Sequence, residues 1–228
     1  MHGQLLPAYI LHSRAFAEDK LILQLLLPEL GRLSAVVRKK TGKQRLALQP
    51  FQQYAVQLIG RADLKTVRSI DELAPAFSYS GKLLFSAMYL NELICRLWPD
   101  NLAAEQLFAL YHRSLCQLAT LEADAQALEP CLRQFEFALL AELGIAIDWS
   151  VDAAGAPINA ASCYQWHAEQ GFVLSSKGWS GQQLLQIATE QWQHSDTRRC
   201  AKQLSRQLLA PLLGDKPLLS RALFTAGA

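Results

Sequence analysis

The sequence predicts an α+β protein of two domains. A five-stranded β-barrel of the OB type spans residues 1–76, and a mostly helical domain with an irregular, hairpin-containing insert at about 148–178 spans 77–228. Two observations carry the prediction. Apolar residues alternate with period two from residue 7 to about 70, and recur with period 3.6 after Pro75. Turn-forming residues cut the first stretch into short runs.

The strands come first. Tyr9-Ile10-Leu11-His12 opens one, and Leu21, Leu23, Leu25 and Leu27 alternate along a second that stops at Pro28-Glu29-Leu30-Gly31. Leu33, Ala35 and Val37 form one face of a third. Tyr54, Val56 and Leu58 mark a fourth, ended by Gly60-Arg61-Ala62-Asp63, and a fifth runs from Leu64 to Ile70. Five short strands with tight turns after the second and fourth suit a small closed barrel, with an SH3-like barrel as runner-up because strand count does not fix topology. Helices follow. Leu83, Ala87, Leu90, Ile94 and Leu97 lie on one stripe that ends before Pro99, and residues 102–121 continue the period. A third helix is expected to begin at Pro130, a favoured first helical position, and to stop at Gly144. Tyr164-Gln165-Trp166 and Gly171-Phe172-Val173-Leu174 suggest a small hairpin inside the insert. Ser180 and Gln183 fit a capping box, and a last helix is expected from Thr197 to Leu213, stopping at Gly214.

With 51% hydrophobic and 18% charged residues the chain can bury a core and is not disordered. No apolar run reaches the roughly 18–20 residues of a membrane span, and the first dozen residues lack the basic start of a secretory signal. Five widely spaced cysteines without a C-x-x-C pair point to the reducing cytoplasm. Cys95, Cys116 and Cys131 fall on apolar helical stripes, where cysteine acts as a small hydrophobe.

A net charge of +2 conceals uneven blocks. Residues 1–70 hold 11 of the 22 basic residues and 4 of the 20 acidic ones, and residues 197–228 hold six basic residues against Asp215 alone. The middle is correspondingly acidic. Such asymmetry points to a polyanionic partner at the basic parts. The densest stretch is Arg38-Lys39-Lys40-Thr41-Gly42-Lys43-Gln44-Arg45, with five positive charges, no acid and no apolar residue. A loop of this kind neutralises phosphates and releases counterions, giving affinity with little base specificity. Arg14, Lys20, Lys65 and Arg68 extend the surface. On the last helix Arg199, Lys202 and Arg206 share a face opposite Cys200, Leu204 and Leu208, and Lys216 follows. The barrel's aromatics are Tyr9, Phe16, Phe51 and Tyr54, with Phe51 and Tyr54 expected in the core, so binding is expected to be backbone-dominated with modest stacking.

Catalytic patterns are missing: there is no G-x-S-x-G, no phosphate-binding glycine loop and no H-E-x-x-H. Glu136 and Glu142 lie six apart and share no helix face. Cys163, His167, His194 and Cys200 can be drawn as a zinc set, but their spacing matches no common site.

The chain resembles the RecO family of bacterial recombination mediators. The resemblance spans nearly the whole length. It rests on Tyr9-Ile10-Leu11-His12-Ser13-Arg14 with Glu18; Gly31-Arg32-Leu33 before the basic loop; Leu48-Gln49-Pro50-Phe51; Tyr89-Leu90-Asn91-Glu92-Leu93; Leu132-Arg133-Gln134-Phe135-Glu136 through Leu143-Gly144; and Leu213-Gly214-Asp215-Lys216-Pro217-Leu218-Leu219-Ser220-Arg221. The order and spacing of these stretches are specific, although none is catalytic. The resemblance implies an amino-terminal OB fold, a helical carboxy-terminal domain and no covalent chemistry. It implies binding of single- and double-stranded DNA, annealing of complementary strands, including strands coated by the single-stranded DNA-binding protein SSB, and, with RecR, loading of RecA at gaps. Family members engage the acidic, Phe-ended SSB tail in an apolar pocket rimmed by positive charge, and Arg133, beside Leu132 and Phe135, matches a position associated with it. Some members hold zinc through four cysteines in the insert; here 148–178 contains only Cys163, which implies no metal or other cofactor. Readings from other classes are an RNA-binding OB module, a partner-binding adaptor whose basic loop serves solubility, and, least supported, a small hydrolase. A cytoplasmic, nucleoid-associated protein is expected.

Overall fold

Alternating apolar residues in the first third produce five strands, β1 (Leu6–Ala17), β2 (Lys20–Leu27), β3 (Gly31–Arg38), β4 (Gln53–Ile59) and β5 (Lys65–Glu72). They close a barrel in the order β1-β2-β3-β5-β4, with β4 pairing back to β1 and β3 running parallel to β5. That order, with its parallel closure, is the OB arrangement and not the SH3-like one. Leu23, Leu25 and Leu27 meet Leu33, Ala35 and Val37 inside the barrel, together with Ala8, Ile10, Tyr54 and Val56. The computed structural model describes residues 4–39, 48–121 and 125–226.

β1 departs from simple pairing at two places. Leu11 and Phe16 have no Cα partner in β2, whose register advances by one residue while β1 advances by two. Each is a β-bulge, a device that re-aims side chains and bends a strand. Before the first bulge β1 is buried on both faces. Ala8 and Ile10 enter the barrel, while Tyr9 packs against Phe108 and Tyr111 with ring centroids 5.3 and 5.0 Å apart. Leu11 gives its carbonyl to the amide of Asn91 at 2.9 Å, and Asn91 accepts the Tyr111 hydroxyl at 2.5 Å.

These partners come from α1 (Gly81–Leu97) and α2 (Glu105–Thr120), which belong to the same compact unit as the barrel, Met1–Thr120 with Pro217–Ala228. The α1–α2 connection is fastened to the β2–β3 turn. Asn101 and Ala104 donate to the carbonyls of Arg32 and Pro28, and Arg32 donates to the Trp98 carbonyl and pairs with Asp100 at 2.9 Å. The approach is so close that a Cβ on Gly31 would stand 1.7 Å from the Leu102 carbonyl oxygen. The unit is completed by α6 (Leu219–Ala226), a helix the periodicity did not reveal. The Glu92 carboxylate accepts the amides of Leu219 and Ser220 at 2.8 Å each and the Ser220 hydroxyl at 2.5 Å. Arg221 lies over the Tyr89 ring at 5.7 Å, so the Tyr89–Leu93 stretch meets Leu219–Arg221 here.

Leu121–Lys216 forms the second unit. It contains α3 (Ala125–Glu142), the sheet β7-β6-β8 built from β6 (Cys163–His167), β7 (Gly171–Ser175) and β8 (Trp179–Ser180), then α4 (Gly181–Ala188) and α5 (Ser195–Leu213). The hairpin stands where the sequence put it, with Tyr164 opposite Leu174. Two expectations need correction. Pro130 lies inside α3 and does not open it. Interior proline costs about 3 kcal/mol, and burial of Leu128, Cys131 and Leu132 offsets it. Ser180 is the residue before α4 but makes no side-chain cap hydrogen bond, so no capping box forms. α5 stops at Gly214, as expected, with φ at 61°.

Candidate nucleic-acid interface

Because the barrel interior is filled by apolar side chains, any ligand must meet its outside. Register fixes what that outside presents. Arg14 is opposite Ile22, Ile22 opposite Val36 and Val36 opposite Thr66, so one row crosses four strands. Arg38 is opposite Lys20, and Arg68 follows two residues after Thr66. Arg14, Lys20, Arg38, Lys39 and Arg68 are exposed, and Lys65 is half-buried where β5 meets β3. A groove of about 300 Å³ runs between Arg14 and Ser34 on the strands and Asp63 and Leu64 of the β4–β5 loop.

The charges are not equally available. Arg38 donates to Asp19 at 2.6 Å, and this hydrogen bond holds the Asp19 carboxyl below the usual carboxylate range. The Lys39 ammonium donates to the Glu18 carbonyl at 3.2 Å and its backbone N–H to that of Asp19 at 2.8 Å. The start of the basic segment is thereby tied to the β1–β2 turn. Lys40, Lys43 and Arg45 lie outside the described residues. Arg14, Lys65 and Arg68 form no ion pair among the described residues.

The second expected surface, on α5, is partly spent internally. Arg199 pairs with Asp196 at 3.3 Å, and Lys202 pairs with Glu129 at 2.7 Å. Arg206 is exposed and forms no ion pair among the described residues; Lys216 is also exposed. Glu129 is 73 positions from Lys202, so the helix periodicity gave no sign of this neutralisation. Arg198 turns to the carbonyls of Trp192 and Gln193 at 2.5 and 3.1 Å.

Leu132, Arg133 and Phe135 do not stand on an open surface. They are 8%, 5% and 0% exposed, and Arg133 pairs with the buried Glu136 at 2.6 Å. An incoming carboxylate would have to displace Glu136 or meet another face of the guanidinium. The Arg133 Nε has no hydrogen-bond partner among the described residues.

Among the described residues no group of three or more His, Cys, Asp or Glu is arranged to hold a metal ion. The cysteines divide by environment. Cys131 and Cys200 are buried, and desolvation pushes their thiols up to about 11 and about 12. Cys116 is exposed, contrary to its expected place on an apolar stripe, and lies 3.7 Å from the His112 ring. One basic residue escaped the sequence reading of the interface. Arg61 is exposed in the β4–β5 loop, where its Gly60-Arg61-Ala62-Asp63 context registers only as a turn.

No helix among the described residues is long and apolar enough to cross a membrane. Residues 1–75 match the family model for the recombination protein O N terminal, and residues 79–222 the model for the recombination protein O C terminal. The chain is 41% identical over 222 residues to the DNA repair protein RecO of Stutzerimonas stutzeri, covering 96% of this chain and 92% of that one. It is 40% identical over 238 residues to the DNA repair protein RecO of Cellvibrio japonicus, covering 100% and 99%, and 38% identical over 234 residues to that of Alteromonas mediterranea, covering 98% of each. An OB barrel, a helical carboxy-terminal part and matches over both halves in chain order agree, and the chain belongs to the RecO family of DNA repair proteins.

Proposed function

We propose that this protein is a non-catalytic recombination mediator of the cytoplasm and nucleoid, which binds single- and double-stranded DNA on the outside of its barrel and anneals complementary strands. The observation that carries the reading is the set of cations that form no ion pair among the described residues, Arg14, Lys65 and Arg68, on a barrel whose interior is closed. OB folds bind oligonucleotides on the face of their second and third strands and on the loops between the first and second and between the fourth and fifth. Here those elements carry Lys20, Arg38 and Arg61. The segment Lys39, Lys40, Lys43 and Arg45 enlarges the same field, and Arg199, Lys202, Arg206 and Lys216 supply a second, weaker one. Two strands repel through their phosphates, and two basic surfaces that each hold one strand lower that repulsion and raise local concentration.

Membership of the family supports the wider role: annealing of SSB-coated strands, SSB-tail recognition around Arg133, Leu132 and Phe135, and loading of RecA together with RecR. The test is annealing of complementary oligonucleotides, bare and SSB-coated, across a salt series. Annealing of both that weakens with salt is expected. Replacing Arg14, Lys65 and Arg68 by Ala lowers the salt slope of single-strand binding by about two, since each phosphate contact contributes roughly 0.7. An unchanged slope removes the barrel assignment. Preference for RNA over DNA of equal length selects the RNA-binding alternative. Salt-independent binding of a protein partner, with no affinity for nucleic acid, selects the adaptor.

A further inference from the structure

The barrel's aromatic residues are sharply divided. Tyr9, Phe51 and Tyr54 are 0%, 5% and 0% exposed, whereas Phe16 is 56% exposed. Leaving a phenyl ring in water forgoes the burial that drives folding, so an isolated instance needs no cause. This one sits in an unusual backbone setting and an unusual field. Phe16 is the extra residue of the second bulge in β1, between Ala15, opposite Leu21, and Ala17, opposite Lys20. Lys20 is in turn opposite Arg38, Arg14 lies two residues before Phe16, and Lys39 is hydrogen-bonded to the turn that follows it. Of these four cations Arg38 is bonded to Asp19 and the Lys39 ammonium to the Glu18 carbonyl, whereas Arg14 and Lys20 form no ion pair among the described residues and flank the exposed ring on either side in sequence.

We infer that Phe16 is a stacking platform for an unpaired base, flanked by cations that hold the adjoining phosphates. The inference rests on the proposed DNA-binding role and gives it a strand preference. In a duplex the base faces are covered by their neighbours, and only a single strand can offer one to an aromatic ring. Cations alone bind both forms and set the salt dependence. Phe16 adds affinity for the single-stranded form without adding counterion release. Annealing needs this distinction, because a protein that holds the duplex product as tightly as its single strands is retained on the product.

The experiment compares the full-length protein with Phe16→Ala and Phe16→Trp, using a single-stranded oligonucleotide carrying 2-aminopurine and the matching duplex. Phe16→Ala is expected to weaken single-strand binding about tenfold, at the low end of base–aromatic stacking, with an unchanged salt slope and unchanged duplex binding. Phe16→Trp is expected to restore affinity and to quench 2-aminopurine more strongly than Phe16→Ala. Because the ring is exposed, both variants should retain the wild-type circular dichroism spectrum and melting curve. Wild-type affinity for the single strand in Phe16→Ala overturns the inference and leaves the proposed function standing. So does an equal loss on single strand and duplex. If the wild-type protein binds neither oligonucleotide, the proposed function itself falls, and this inference with it.

Discussion

Replacing Asn91 by Ala tests how the barrel is held to its helices. Asn91 is buried on α1 and serves two groups at once: its amide donates to the Leu11 carbonyl at 2.9 Å and its carbonyl oxygen accepts the Tyr111 hydroxyl at 2.5 Å. Leu11 occupies the first β1 bulge, without a partner residue in β2. Tyr111 is so completely buried that desolvation drives its hydroxyl well above the ordinary tyrosine range. Asn91→Ala strands both groups. A buried polar group left without its partner costs about 1–3 kcal/mol, so the expected loss for the two is about 2–6 kcal/mol. Two compact units make a single global transition a poor readout. Hydrogen exchange by mass spectrometry resolves them: peptides from β1, α1 and α2 should lose protection by that amount, and peptides from 125–213 should keep theirs. Adding Tyr111→Phe removes one stranded hydroxyl, so the double variant should be more stable than the sum of the singles by about 1 kcal/mol. A single variant within about 0.5 kcal/mol of wild type, or strict additivity in the double, would refute the reasoning.

Other predictions follow from local geometry. Gly31→Ala places a Cβ 1.7 Å from the Leu102 carbonyl oxygen at a φ of 69°, and should cost at least about 2 kcal/mol in denaturant unfolding; a silent substitution would show that the β2–β3 turn and the α1–α2 connection part easily. Iodoacetamide at pH 8 should alkylate exposed Cys116 first and spare Cys131 and Cys200 until denaturant is added, which peptide mapping reads directly. Equal labelling of Cys200 and Cys116 contradicts the burial. Asp19 titrates low because Arg38 bonds it, so the pair contributes above the usual carboxylate range and is lost as pH falls through the depressed Asp19 value. In Arg38→Ala the Asp19 titration followed by NMR should move back up; an unmoved titration denies the contact.

Much of the barrel was legible because one face of each strand is core: Leu21, Leu23, Leu25 and Leu27 write the period openly. The second buried layer was not. Tyr9 and Leu26 are buried without joining the barrel core. Tyr9 lies against α2, a partner more than a hundred positions away whose contact leaves no periodic trace in β1. The start of α3 was misplaced because proline's local preference for the first turn was outweighed by burial of Leu128 and Cys131 around it. α6 went unread for a similar reason: eight residues cannot hold a helix alone, and its cap comes from Glu92, 127 positions from Leu219. At the candidate interface the residue types could be read, but their availability could not. Lys202 and Arg133 look alike on a helical wheel; one reaches Glu129 at the edge of solvent and the other is sealed with Glu136.

The cap on α6 has a consequence for how the chain is made. Because Pro217–Ala228 rejoins the unit formed by Met1–Thr120, Leu121–Lys216 is an insertion between its two parts. During synthesis the barrel and its first helices emerge early, yet the carboxylate of Glu92 waits for Leu219 and Ser220, which leave the ribosome only after the whole inserted unit. The inserted unit can finish before its host does. A truncation that removes Leu219 and Ser220 therefore injures the unit that contains the barrel, and a deletion of the inserted unit can succeed only if its new junction lets both residues return to Glu92 on α1.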